Sequence, residues 1–378
     1  MYNAAEYDVA IIGGGLAGLT SAIQLADKGH SVVVFEKEKY PFHKVCGEYV
    51  SLESWKFLQQ IGLPLQELDL PVINSLFLTS PNGKSFTTAL PLGGFGISRF
   101  TLDQMLAELA KKSGVDVREN CKADQVIDDV GYQILFNGGS VKAKVCCAAY
   151  GKRSNLDIKW NRNFLNKKDK RLNNFVGVKY HIKTHWKENV IGLHNFENGY
   201  CGISKIEKDT FCLCYMTRAE NFKNCGNDIK KMEENILFQN PHLKKIFQQS
   251  EFLPSFPITI SQISFAKKRQ VEDGIIMLGD AGGMITPLCG NGMSVAFHTG
   301  KIAAALIHKY LSGKIGRSEM EASYSRQWKE EFERRLRTGR IIQKFFGKKN
   351  LSNFFVNTFK AFPFLARPLI RQTHGKPF

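Results

Sequence analysis

The run YDVAIIGGGLAGLTSAIQLADKGHSVVVFEK near the start of the chain constrains its fold more than any other stretch. An apolar strand, Val9 to Ile12, leads directly into Gly13-Gly-Gly15-Leu-Ala17-Gly18, and a helical pattern of Leu19, Ala22, Ile23 and Leu25 follows. Gly29 closes that helix, and a second apolar strand, Ser31 to Phe35, ends in Glu36. Each glycine of the motif has a steric reason. Gly13 permits the tight turn, Gly15 lets a pyrophosphate approach the backbone, and Gly18 lets helix and strand pack closely. The N–H groups at the helix start then face the phosphates. Glu36 lies 23 residues beyond Gly13, where a carboxylate can accept hydrogen bonds from ribose hydroxyls. These residues predict a strand–helix–strand unit that binds a dinucleotide, and hence an α/β chain.

The far end of the chain narrows the choice of dinucleotide. In GIIMLGDAGGMITPLCGNGMSVAFHTGKIAAALI (274–307) a short apolar strand ends in Gly279-Asp280, and Pro287, Gly290, Asn291, Gly292 and Met293 lead into a helix. An acid at a strand end reaches a ribityl or ribose hydroxyl. The glycine turn presents backbone N–H groups to an electron-rich ring edge, such as that of a reduced flavin. Between the two ends, SRFTLDQMLAELAKKSG (98–114) is predicted as an amphipathic helix introduced by Arg99, with Leu102, Met105, Leu106 and Leu109 on one face. Residues 115–129 and 132–155 read as strands and a hairpin, and Ser154 as a helix N-cap.

These pieces, in this order, resemble the FAD-dependent oxidoreductases of the p-hydroxybenzoate hydroxylase fold, and within it the geranylgeranyl reductase family. The motifs that carry the resemblance are GGGLAGL (13–19), the Arg99–Asp103 helix, AAYGKRS (148–154) and GDAGGMITPLCGNGM (279–293). To these PFHKVCGEYVS adds the family's segment after the second strand, here Pro41, Lys44, Cys46 and Gly47. The resemblance implies a Rossmann-type FAD-binding domain with an interleaved β-rich substrate domain and a helical C-terminal region. The expected division is 1–65, 96–155 and 270–310 for FAD, 66–95 and 156–269 for the substrate sheet, and 311–378 for the basic helices. FAD is the implied cofactor, with Lys44, Gly47, Arg99 and Ala123 joining the residues named above. NAD(P)H or another reductant is the implied electron donor. The resemblance also sets Cys46 beside the isoalloxazine ring, facing the substrate cavity, where its thiol would protonate a carbon after hydride transfer or shape the pocket.

The expected chemistry is reduction of a carbon–carbon double bond in a polyprenyl or other lipophilic substrate. A monooxygenase that hydroxylates or epoxidises is the alternative on the same fold, and a basic flavin-bearing adaptor is a third, non-enzymatic reading. One departure from the family is plain. Its Gly-Tyr/Trp-x-Trp-x-x-Pro segment reads NGYCGISKIEKD here: Tyr200 is kept, Gly202 replaces the Trp, and Lys205 stands where Pro would be. Halogenation is therefore not expected, and the pocket wall at Tyr200 and Gly202 is expected to be opened.

Composition adds bounds. With 378 residues, 43% apolar and 23% charged, the chain is long enough for two interleaved domains and too apolar for disorder. Its nine cysteines show no framework or zinc spacing, which predicts reduced thiols and no metal site. His181 and His185 read as sheet-face or surface residues of a strand over 175–186, and His194 as an acid–base candidate near the pocket. A first strand so near the start leaves no room for a signal peptide, and no apolar run spans a bilayer, so the expected location is the cytoplasm, with membrane association on the cytoplasmic face. The net charge of +17, read as spread along the chain, favours an anionic membrane or an acidic carrier protein, and nucleic acid is not expected. The C-terminal third mixes Phe345, Phe346, Phe354, Phe355, Phe359 and Phe362 with Lys348, Lys349 and Arg367. Its apolar faces pack on the sheet domain or make an interfacial surface, and both can hold at different turns.

Overall fold

The computed structural model describes residues 5–165, 174–286, 290–345, 347–373 and 375–378. Pro287 of the expected cofactor set lies outside the described residues, as do Phe346 and the side chains of Phe345 and Arg367. The chain opens with β1 (Ala5–Ile12), α1 (Leu16–Ala26), β2 (Val32–Phe35), β3 (Tyr49–Ser51) and α2 (Trp55–Gln60). A long hairpin follows, β4 (Val72–Thr79) and β5 (Ser85–Gly96), then α3 (Arg99–Lys112), β6 (Asp116–Arg118), β7 (Ala123–Asp128), β8 (Tyr132–Phe136), β9 (Gly139–Ala148) and α4 (Asn155–Lys159). The middle holds β10 (Phe175–Lys183), β11 (Val190–Phe196), β12 (Gly199–Lys205) and β13 (Phe211–Arg218). After it come α5 (Ala219–Asn224), α6 (Ile229–Asn235) and α7 (Pro241–Gln249). Short strands β14 (Glu251–Phe252), β15 (Ile258–Ile263), β16 (Val271–Glu272) and β17 (Ile275–Met277) lead to α8 (Gly292–Leu311), α9 (Arg317–Trp328), α10 (Arg334–Phe345), α11 (Lys349–Ala361) and α12 (Ala366–Thr373).

The first sheet runs β16-β17-β9-β1-β2-β6, with the β7–β8 hairpin joined to β9. Its centre is parallel, and β2 reads VVVF with every residue buried, as a strand covered on both faces must be. Helices α1 and α8 lie on one face. They approach so closely that a Cβ on Gly300 would sit 2.8 Å from the Ala17 carbonyl oxygen. The first turns of α1 thus lie directly against α8.

The second sheet runs β14-β10-β13-β12-β11-β4-β5-β3, with β15 also paired to β10. Its edge strand β3 comes from within residues 1–65, so the chain enters the second sheet once before β4. Residues 156–268 are less purely strand than their pattern suggests. The outer face of β10, β12 and β13 buries Tyr180, Ile203, Leu213 and Tyr215, and α5–α7 cover it with Phe222, Met232 and Leu243. An apolar sheet face has to be roofed by something, and short helices between strands serve.

Candidate flavin site

The glycine turn behaves as its steric roles require. Gly13 has φ of +110°, and a Cβ there would lie 2.5 Å from the Ala149 carbonyl oxygen. A Cβ on Gly18 would run into the Gly13 carbonyl oxygen. Around Gly15 there is room instead: the nearest atoms to a Cβ are Arg99 Nη2 and Lys44 Nζ, both at 3.9 Å. The α1 N-terminus carries no side-chain cap, so its first N–H groups point into a space flanked by two cations. Glu36 is buried and accepts from the Gly14 N–H at 3.1 Å. Ala123 packs with Phe35 and Phe136, two residues past Cys121, whose N–H bonds the Glu36 carbonyl at 2.8 Å.

Arg99 and Lys44 are held by one acid. Asp103, one helical turn beyond Arg99, is fully buried; it accepts from Arg99 through both oxygens at 2.7 and 2.8 Å and meets Lys44 Nζ at 2.9 Å. Burial alone would raise the Asp103 carboxyl, but the two cations outweigh it and hold the group ionised. Helix α8 also lacks a side-chain cap, and Gly290 and Asn291 lead into it. Met293 is buried against the main core. Burial pushes the Asp280 carboxyl upward, while Lys152, Lys268 and Arg99 pull it back. Two uncapped helix ends, with two cations near the first and an acid near the second, are linked by Arg99, which lies beside Gly15 and acts on Asp280. That arrangement fits the pyrophosphate, ring edge and hydroxyls of FAD.

The Lys44–Gly47 segment pairs with no strand, yet its four consecutive carbonyls are all satisfied. Lys44 O accepts from Lys179 Nζ at 3.2 Å, Val45 O from Lys152 Nζ at 3.3 Å, Cys46 O from Cys212 Sγ at 3.2 Å, and Gly47 O from Ser204 Oγ at 3.0 Å. Strands β10, β12 and β13 and the loop after β9 thus clamp one irregular stretch. Gly177 leaves room for Val45, whose side chain lies 3.0 Å from where a Cβ would be. Cys46 is half-buried, and Gly47 is exposed with nothing within 4 Å of its Cβ position.

Beneath the clamp lies a cluster that the sequence did not reveal. Glu48 is fully buried at φ of +54° and accepts from the Arg99 N–H at 2.7 Å, from Lys179, and from His181 Nε2 at 2.6 Å. Burial would raise its carboxyl, but Lys179 and His181 prevail and hold it below the ordinary carboxylate range. Lys179 is raised in turn: Glu48 outweighs the desolvation that would lower it. His181, expected on a sheet face or at the surface, is therefore a buried member of this cluster, while His185 is exposed. The only clue in the sequence was strand alternation, which sets Lys179 and His181 on one face of β10. The Glu48, His181 and Cys212 donor atoms lie within 4.8 Å of one another, a spacing that would suit a metal. Each already has a proton partner, however, and burial pushes the Cys212 thiol well up, so the group reads as a hydrogen-bond network.

Direct register opposes Cys212 to Ser204 and His181, and Cys214 to Gly202 and Lys179, so these residues share the sheet face that looks at Cys46. Leu193 of β11 stands opposite Gly202, and a Cβ on that glycine would meet nothing closer than 3.7 Å. Tyr200 is buried with Phe175, Met216, Phe265 and Met284. The face continues through Leu193 to Leu78 and Phe86, where Val356, Phe359 and Ala366 of α11 and α12 close over it. The C-terminal helices thus pack on the sheet, the first of the two expected fates. His194 lies on the opposite face. It is buried, bonds Thr79 through Nδ1 at 3.0 Å and stacks with His242; burial pushes it down to about 3. It is a neutral core residue and no acid–base catalyst.

Comparison with known proteins agrees with this geometry. Residues 8–43 match the FAD binding domain family, and residues 159–332 match the squalene epoxidase family. A digeranylgeranylglycerophospholipid reductase of Methanococcus vannielii is 25% identical over 365 residues, covering 86% of this chain and 83% of its own. A 1H-pyrrole-2-carbonyl-(peptidyl-carrier protein) brominase of Pseudoalteromonas luteoviolacea is 26% identical over 326 residues, covering 82% and 79%. The solved structure of a geranylgeranyl bacteriochlorophyll reductase-like protein of Thermoplasma acidophilum superposes with a TM-score of 0.78 at 20% identity, covering 98% and 100%. Fold and site together define an FAD-dependent enzyme. The chain is an FAD-dependent oxidoreductase of the fold shared by geranylgeranyl reductases and flavin-dependent halogenases. Reductase and brominase stand at similar identity, so the likeness fixes the class and leaves the reaction to the site.

Proposed function

We propose that the chain reduces a carbon–carbon double bond in a polyprenyl or other lipophilic substrate. The observation that carries this reading is the clamped Lys44–Gly47 segment, which holds half-buried Cys46 over the sheet face that carries Gly202, Cys214 and Leu193. FAD, when bound, supplies the hydride equivalent, and NAD(P)H or another reductant restores it. The chain's own part is to hold and orient. Arg99 and Lys44, fixed by Asp103, take the pyrophosphate, and the α8 N-terminus takes the ring edge. On this reading the Cys46 thiol supplies the proton to carbon, and α11 and α12, packed on the sheet, shield its apolar face from water. The proposed setting is peripheral contact with an anionic membrane from the cytoplasmic side; no helix among the described residues is long and apolar enough to cross one.

A second reading, oxygen insertion to give a hydroxylated or epoxidised product, is favoured by the squalene epoxidase match over 159–332. One experiment separates the two. The bound flavin is reduced anaerobically with dithionite, excess reductant is removed, and a polyprenyl lipid is added. Return of the oxidised spectrum without oxygen supports double-bond reduction. Silence until oxygen enters, followed by a hydroxylated or epoxidised lipid, establishes the monooxygenase.

A further inference from the structure

The charge is not spread along the chain as the bulk figure suggested. Residues 334–378 hold eleven Lys and Arg and no Asp or Glu, so of the net +17 only +6 belongs to the other 333 residues. This basic segment has two faces. On one, α11 and α12 turn Val356, Phe359 and Ala366 onto the sheet. On the other, Phe354 is 61% exposed. Where α11 hands over to α12, six consecutive residues, Lys360 to Leu365, are all exposed. Within that turn Phe362 is 53% and Phe364 63% exposed, and their rings meet edge to face at 6.1 Å. Such rings on a water-facing turn forgo the burial that a fold usually gives them.

We propose that this face docks on an anionic lipid surface, with the Lys360–Leu365 turn entering the headgroup region, and that the lipophilic substrate passes from the bilayer along α11 and α12 to the sheet face that looks at Cys46. The docking half stands on charge and exposure alone; the entry half rests on the lipophilic-substrate reading above. Charge complementarity selects the occupant. Exposed Lys348, Lys349, Lys360 and Arg371 meet lipid phosphates, and no acid in the segment opposes them. An acidic protein would satisfy the cations, but it would also need a groove to seat aromatic anchors. Here the anchors project from a turn, which suits insertion among lipid headgroups. The same helices pack on the continuation of the sheet face that looks at Cys46, so a docked chain brings that face to the membrane.

The test uses the full FAD-loaded chain in flotation with neutral phosphatidylcholine vesicles and with mixed phosphatidylcholine–phosphatidylglycerol vesicles. The expected result is co-flotation with the mixed vesicles alone, weakening as salt rises. The F362S/F364S variant, altered only at exposed positions, keeps its flavin and loses at least about tenfold in vesicle partition. K348Q/K349Q/K360Q independently loses the anionic preference. Protein that stays in solution, or unchanged binding of F362S/F364S, overturns the docking surface. Retention on an acidic carrier protein with no vesicle binding overturns it in favour of a protein partner. For entry, turnover of a digeranylgeranyl lipid in vesicles should fall in F362S/F364S while turnover in detergent micelles is kept; an equal fall in both overturns entry. If the prenyl lipid reoxidises the flavin in neither medium, the substrate reading and the entry half fail together, and flotation still decides docking.

Discussion

Replacing Lys179 by Met tests whether the buried cluster under the clamp is one unit. Lys179 and Glu48 side chains are both fully buried, and the ammonium bonds Glu48 and the Lys44 carbonyl together. The substitution keeps most of the volume and removes the charge, leaving Glu48 with the Arg99 N–H and His181. Orphaning one partner of a buried pair costs about 3–5 kcal/mol. In a Lys179→Met/Glu48→Gln protein no buried charge is stranded, so the double variant should recover about 2 kcal/mol or more of the summed single costs. Urea denaturation followed by circular dichroism and flavin fluorescence measures all four corners of the cycle. The pH dependence has a definite sign. Glu48 is depressed in the folded state, so its contribution is present above the unfolded carboxylate pKa and is lost as pH falls through its folded value. Lys179 is raised, so its share persists until strongly alkaline pH. The gap between wild type and Lys179→Met therefore narrows in acid. Costs that add to within about 0.5 kcal/mol, or a gap that widens in acid, refute the reasoning.

Further outcomes follow from single contacts. Gly18→Ala forces a Cβ into the Gly13 carbonyl oxygen and should yield protein without flavin absorbance, whereas Gly47→Ala, with open space at its Cβ position, should keep it. Cys46→Ala should retain FAD and, if the thiol delivers the proton, slow anaerobic reoxidation by lipid by about 10²–10⁴-fold; an unchanged rate leaves Cys46 a wall residue. Glu233 is buried, accepts from Tyr180 and Tyr215 at 2.8 Å each, and is pushed up to about 7 by burial. Its raised pKa makes the fold lose stability as pH rises from about 4.5 to 7, by roughly 3 kcal/mol, and Glu233→Gln should flatten that slope in urea titrations.

What the sequence determined by itself was the form of short motifs. The Ser154 cap and the Arg99 helix complete their geometry within a few residues, and the Gly13–Gly18 turn and Glu36 belong to one strand–helix–strand unit, so their spacing states their form. The cofactor class was legible for the same reason, because a helix N-terminus binds phosphate with its own N–H groups. Tertiary structure decided what depends on meetings across the chain. Glu48 finds its cation 131 positions away at Lys179, and the carbonyls of residues 44–47 find donors at 152, 179, 204 and 212. Nothing in strand periodicity separates a core imidazole such as His194 from a clustered one such as His181. Both alternate onto a sheet face, and only packing says whether a carboxylate or apolar rings wait there. The two faces of the C-terminal helices were likewise undecided, since an amphipathic pattern records that one side is apolar and not what it will touch. That choice is made by the rest of the fold, because apolar area gains its free energy only against a surface that long-range folding has already assembled.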